Sequence, residues 1–233
     1  MKNLFYPLIL VITLFFVAPI TLAKDTIGLF MSFQINDDET YQEWRSKTSH
    51  IFKTHQCKPF RHGKIMAAKG SLQWGTADYF SIVACQSSLL SELEIKGHIN
   101  SLKSIVNNLS IVEGDLLQSP HKKLTTSVEY IIKISYFNNL NILSRNKALK
   151  DIERQASLIN DAWIGDAILK PTASLGLITP DELTFLYYPK AGQGVIFREN
   201  NPVIMKEIGM FNHNHVERFT YLESQLKTIQ NSH

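Results

Sequence analysis

Two histidines, His50 and His55, stand five residues apart in a stretch that otherwise repeats as an amphipathic helix. An imidazole titrates near neutral pH without help from its surroundings, so either ring suits a general acid or base. Tyr41, Trp44, Thr48, Ile51, Phe52 and His55 recur at spacings of three, four and seven, the period of one helix face. His55 therefore shares the apolar stripe with Trp44, and His50 points off it. A histidine on such a stripe is more often a satisfied core or rim residue than a catalyst, and that alternative stands beside the catalytic one. Trp44, Trp74 and His98 are the candidate ligand-binding residues, with Trp74 in a turn and His98 at the Gly97 helix break. The latter two suit the lining of a small-molecule pocket or a haem cleft, although a turn tryptophan more often covers a core edge.

The remaining motifs carry less. His213 and His215 are two apart, which on a strand puts both on one face, yet no carboxylate cluster completes a metal site. Asn212-His213-Asn214-His215 reads as a polar loop before the last strand. Gly192-Gln193-Gly194 lacks the following residues of a phosphate loop and reads as a turn. No serine sits in a Gly-x-Ser-x-Gly elbow. No metal and no cofactor is assigned. Cys57 and Cys85 have neither metal-ligand spacing nor a CxxC partner. They fall opposite one another in a hairpin centred on residue 71, beside the turn signals Gly70-Ser71 and Gly75-Thr76, and a disulfide between them is expected.

The elements that must position these residues begin after an N-terminal export pattern. Lys2 supplies a positive start, Leu4 to Val17 an apolar run, and Thr21-Leu22-Ala23 a small-residue cleavage site, the anatomy of a signal peptide over residues 1–23. The run is broken by Pro7, Thr13 and Pro19 and is shorter than the roughly 20 residues that span a bilayer. After cleavage, 23 basic residues (24 less Lys2) face 21 acidic ones, and no basic block of useful length appears. This balance argues against nucleic acid and against a membrane surface as partner. Export, to a periplasm or the medium, makes a disulfide chemically sensible.

From Thr26 the pattern runs strand, helix, strand, strand, helix, strand. Ile27, Leu29, Met31 and Phe33 alternate with Gly28, Phe30, Ser32 and Gln34, and Asn36-Asp37-Asp38 is a turn and cap before the first helix. Phe60 to Lys69 and Asp78 to Cys85 form the hairpin. Leu89 to Leu109 is helical with a break near Gly97, and Ile111 to Gln118 is a strand. After a polar linker, 120–126, the order repeats: strand Val128 to Phe137, helix Leu143 to Leu158, strands Trp163 to Lys170 and Glu182 to Tyr188. A helical stretch from Val195 restarts at Asn201-Pro202 and closes at Gly209, and Val216 to Glu223 is the last strand. Ile65 with Ile168, Phe80 with Phe185, and Val112-Glu113 with Val216-Glu217 match at offsets of 103 to 105 residues, the mark of an internal repeat. Residues 24–119 and 127–233 thus read as two tandem ferredoxin-like β-α-β-β-α-β repeats, an α+β architecture. Two such units meet sheet to sheet as an α+β barrel, here within one chain, giving a monomeric pseudo-dimer or a weak homodimer.

The second repeat resembles a YCII-related domain of the dimeric α+β barrel superfamily. The likeness rests on Arg145, Gly165-Asp166-Ala167-Ile168-Leu169, Asn200-Asn201-Pro202-Val203, Gly209 and Val216-Glu217-Arg218-Phe219. Gly63 to Gly70 is similar to the family's second strand, and Glu92 to Val112 resembles the antibiotic-biosynthesis monooxygenase branch. The resemblance implies a barrel with a small-molecule cleft between sheet and helices, and an acid–base histidine on the first helix before the second-strand glycine. The second repeat has Asp151-Ile152-Glu153-Arg154-Gln155 there, without histidine; the first offers His50, thirteen residues before Gly63. Three functions follow as expectations. The chain is an exported small-molecule binding protein; or a cofactor-free isomerase, lyase or monooxygenase working through the first repeat; or a scaffold for a protein partner. A cleft beside the first helix favours the enzyme, and a filled barrel favours the scaffold.

Overall fold

The computed structural model describes residues 26–72, 74, 77–117, 124–138 and 140–227. The export pattern, the hairpin tip Gly75-Thr76 and linker residues 120–123 lie outside the described residues. Strands β1 (Ile27–Ile35), β2 (Lys58–Gly70), β3 (Tyr79–Cys85) and β4 (Val106–Leu116) form the first half with helices α1 (Asp38–Thr54), α2 (Leu90–Ile95) and α3 (His98–Lys103). The second half has β5 (Glu129–Phe137), β6 (Ile164–Leu175), β7 (Glu182–Tyr188) and β8 (Val216–Leu226), with α4 (Ile142–Ala156), α5 (Gln193–Asn200) and α6 (Pro202–His215). The strands close a barrel in the order β1-β3-β2-β8-β5-β7-β6-β4. The two halves join through antiparallel ladders β2·β8 and β4·β6. This is the expected α+β barrel of two ferredoxin-like halves in one chain.

Both faces of each sheet are covered, which explains why β1 and β5 are apolar almost throughout. Phe30, Phe80, Ile132, Phe185 and Leu222 point into the barrel, while Leu29, Met31 and Phe33 meet Trp44, Ile51 and Leu93 beneath the first-half helices. Ile131, Tyr188, Phe197 and Ile204 pack under the second-half helices. Asp37 caps α1, its carboxylate accepting from the Glu39 amide.

Three sequence expectations need correction. The helix expected over Leu89 to Leu109 stops at Lys103, and residues 106–109 open β4 by pairing along the end of β1. Local pattern cannot see that ladder. Gly209 does not close a helix: α6 runs through it to His215. Phe211, Asn212 and His215 are buried against the sheet, and that packing outweighs the roughly 1 kcal/mol a mid-helix glycine costs. Asn212 to His215 is therefore the last turn of α6, and His213 and His215 leave it in different directions. The repeat offset is also not constant. Ile27 pairs with Cys85 and Asp115 where Glu129 pairs with Tyr188 and Gln225. Bulges at Phe60 and Met66 in β2 answer bulges at Asp166 and Thr172 in β6. Glu113 is thus the counterpart of Glu223, not Glu217, and Ile65 of Pro171, not Ile168. Insertions inside loops shift the register between strands, so a single offset misaligns some of them.

Candidate functional site

A cavity of about 340 Å³ opens at the end of the barrel where β2 gives way to β3 and β6 to β7. Leu72, Trp74, Leu177 and Ile178 come from those two connections, Asn108 and Ser110 from the start of β4, Tyr136 from the end of β5 and Arg218 from the start of β8. The mouth is built because the first connection is tied down. The Leu72 amide donates to the Phe219 carbonyl at 2.9 Å, and the Phe219 amide donates to Ser71 Oγ at 3.1 Å. Gly176 is left-handed, φ 79°, and a Cβ there would lie 2.2 Å from the Leu109 carbonyl oxygen. Only glycine lets the second connection approach β4 this closely.

The polar groups of the mouth are arranged about the internal repeat. Counting from Ser110 and its counterpart Thr220, Asn108 stands where the second half has Arg218, and Gln34 where it has Tyr136. Asn108, at φ 51°, donates its amide to Gln34 Oε1 at 3.3 Å. On the other side the Arg218 guanidinium lies 4.7 Å from the Tyr136 ring centre, a cation–π contact. One side of the mouth is thus uncharged amide and the other is cation on aromatic. Tyr136 donates its hydroxyl to the Ile178 carbonyl at 2.7 Å. Burial pushes its phenol above the ordinary value, against Arg218 and with help from Asp181. The Arg218 Nε is buried with no hydrogen-bond acceptor among the described residues, and the carboxylate of exposed Glu217 is 3.8 Å away. One step further along the strands, and outside the cavity lining, the Ser32 and Thr220 hydroxyls are buried with no partner among the described residues. Ser32 sits opposite Ser110, and Thr220 shares an inward face with Arg218 and Leu222.

The structure scatters the residues that the sequence proposed. Trp74 lines the mouth. Trp44 is 4% exposed beneath α1, stacked with Tyr41 in the core, and has no part in the cavity. His50 is exposed on α1 with its ring 6.2 Å from that of His98, and neither borders the cavity. His55 caps the C-terminus of α1. Its Nδ1 meets Ser87 Oγ at 2.8 Å and its Nε2 meets the Glu92 carboxylate. Lys96 first, then His55, hold the Glu92 carboxyl below its usual range. Cys57 and Cys85 are joined by the expected disulfide. The hairpin register explains it, because Lys58 pairs with Ala84 one step further in. Among the described residues no group of His, Cys, Asp and Glu is arranged to hold a metal.

Sequence reasoning missed the charged cluster at the other end of the barrel. Arg61 on β2 donates through Nε and a terminal nitrogen to both oxygens of Asp166 on β6, at 3.0 and 2.9 Å. Tyr130 donates its hydroxyl to the same carboxylate at 2.8 Å. Arg61 is 9% and Asp166 4% exposed. Burial first, then the Asp166 charge, push the Tyr130 phenol well above its ordinary value. The signal was present as Asp166 directly ahead of the apolar run Ala167-Ile168-Leu169. What hid the partner was the bulge at Phe60, next to Arg61, and the one at Asp166, which break the simple alternation there.

No family model and no curated protein matches the chain. Solved structures do. A protein assigned as a monooxygenase from Lactobacillus acidophilus NCFM is similar over 88% of this chain and 95% of its own, with TM-score 0.51 and 13% identity. An anthrone oxidase-like protein is similar over 88% and 92%, with TM-score 0.54 and 10% identity. Chlorite dismutase from Candidatus Nitrospira defluvii, in complex with imidazole, is similar over 87% and 91%, with TM-score 0.54 and 12% identity. At these identities the likeness is one of fold, and the chain has the fold of the dimeric α+β barrel proteins.

Proposed function

We propose that this protein is an exported small-molecule binding protein whose ligand site is the barrel mouth. The observation that carries this reading is the cavity of about 340 Å³, apolar on its Trp74, Leu72, Leu177 and Ile178 side and edged by Arg218, Tyr136 and Asn108. Ligand sites commonly combine mostly apolar walls with a few placed polar groups. Below the mouth the interior is filled, with Phe80 stacked on Tyr130 and Phe30 against Phe185, so the ligand is held at the rim rather than deep in the barrel. Kinship with YCII-related domains belongs to the same proposal, supported by Gly165-Asp166-Ala167-Ile168-Leu169. So does export, supported by the residue 1–23 pattern and a disulfide that oxidising compartments favour. N-terminal sequencing of the protein recovered outside the cytoplasm should begin at Lys24; an intact Met1 on exported protein would overturn the cleavage. For the site, replacing Leu177 with Trp should fill the mouth and abolish calorimetric binding of small aromatic ligands while leaving the far-UV spectrum unchanged. Unaltered binding would place the ligand elsewhere.

A second reading is an enzyme acting through the first half, favoured by the hydrogen-bonded series Ser87, His55, Glu92. A carboxylate on one imidazole nitrogen and a hydroxyl on the other is the arrangement of a general base. The backbone amides of Leu89 and Leu90 beside it are taken by Glu113, so they are not available to a developing oxyanion. A fluorophosphonate probe decides this reading. Labelling of wild type that is lost in His55→Gln supports it, and no labelling of wild type removes it.

A further inference from the structure

We infer that the ligand of the barrel mouth is an anionic amphiphile: a carboxylate on a compact apolar body. The inference rests on the mouth being the ligand site, and it follows from what the mouth leaves unmatched. The Arg218 guanidinium lies 4.7 Å from the Tyr136 ring centre, with its Nε buried and the side chain 39% exposed. Its terminal nitrogens make no hydrogen bond to a described residue, and Glu217 at 3.8 Å is 65% exposed. An exposed pair of that length is worth little and is readily outcompeted. Asp181, the acid that bears on Tyr136, already accepts from the Phe137 amide at 2.7 Å. A planar guanidinium resting on an aromatic face and lacking a strong acceptor suits a carboxylate, which it takes in two parallel hydrogen bonds.

The walls supply the rest. Beside Arg218 they are Trp74, Leu72, Leu177 and Ile178, which fit an aromatic or alicyclic body held at the rim. The counterpart side of the mouth carries Asn108 and Gln34 instead of Arg218 and Tyr136, so a single orientation is favoured, with the carboxylate on the Arg218 side.

Calorimetry with 2-naphthoate and 2-naphthol tests the inference on the full exported chain. The expected result is at least tenfold tighter binding of 2-naphthoate than of 2-naphthol. Arg218→Gln should erase that difference, by weakening 2-naphthoate at least tenfold more than 2-naphthol. Equal binding of acid and alcohol that Leu177→Trp abolishes would overturn the anionic preference and leave the mouth standing. Binding of neither would overturn the mouth itself. Thermal melting of each variant separates a lost contact from a lost fold.

Discussion

At the scale of single residues, the groups that matter most to stability are not those at the mouth. Arg61 and Asp166 are buried, paired through two hydrogen bonds and shared with Tyr130. Removing one partner leaves the other charge stranded away from water. Asp166→Ala is therefore expected to lower unfolding free energy by roughly 3–5 kcal/mol. The double variant Arg61→Met, Asp166→Leu should recover most of that loss, because replacing a buried pair by apolar groups is often neutral. Urea titration of the two variants checks this, and an equally damaged double variant would count against it. The tyrosines set the alkaline limit. Burial pushes the phenols of Tyr41 and Tyr188 from 10.0 up to about 12. In the unfolded chain they ionise near 10, so their contribution is whole below that pH and is lost as pH rises through 12. Each steepens the fall by about 1.4 kcal/mol per pH unit in that window. Urea midpoints between pH 9 and 12 should fall steeply in wild type and less steeply in a Tyr41→Phe, Tyr188→Phe variant.

At the scale of elements, the junction of α1, β2 and β3 is held covalently by Cys57–Cys85. In the chain-entropy account, closing a loop with a sequence separation of 28 stabilises by roughly 3.5 kcal/mol. Reduction, or a Cys57→Ser, Cys85→Ser variant, should lower the melting temperature, and intact mass should show no alkylation before reduction. Alkylation of both thiols in the untreated exported protein would refute the bridge. In α6, Gly209 has ordinary helical backbone, and a Cβ there would meet nothing within 4 Å. Gly209→Ala is expected to stabilise by about 0.5–1 kcal/mol, measurable as a raised urea midpoint. A destabilised variant would mean that the glycine serves a contact made on that exposed side.

At the scale of the whole molecule, the barrel closes only because each half supplies the edge the other lacks. The ladders β2·β8 and β4·β6 satisfy both free edges of each four-stranded sheet, and the inward faces of the two sheets form one core. Split at the linker, Lys24–Gln118 and Thr125–His233 would each expose an apolar sheet face and two unpaired edges, the conditions for aggregation. Expressed alone, neither should be a folded monomer; expressed together, they should reassociate as a one-to-one complex. Two independently folded monomers would sink this account. The mouth also belongs to this scale, since Leu72, Trp74 and Asn108 come from one half and Tyr136, Leu177 and Arg218 from the other.

The sequence by itself determined the order of strands and helices, the two-fold repeat and the cysteine pairing. These depend on periods of 2 and 3.6 residues and on one hairpin register, all local properties. It also marked Asp37 and Asn201-Pro202 as helix starts, because capping is settled within a few residues. The tertiary structure alone decided where α6 ends, since burial of Phe211 and His215 carries the helix past a glycine that would stop it in isolation. It alone placed His55 against Ser87 and Glu92, moved Trp44 into the core, and brought Arg61 to Asp166. Those pairings join residues 32 to 105 positions apart, and no local period encodes them. The barrel mouth is the furthest case. Its side chains come from connections and strand ends of both halves, and only closure of the barrel makes them neighbours.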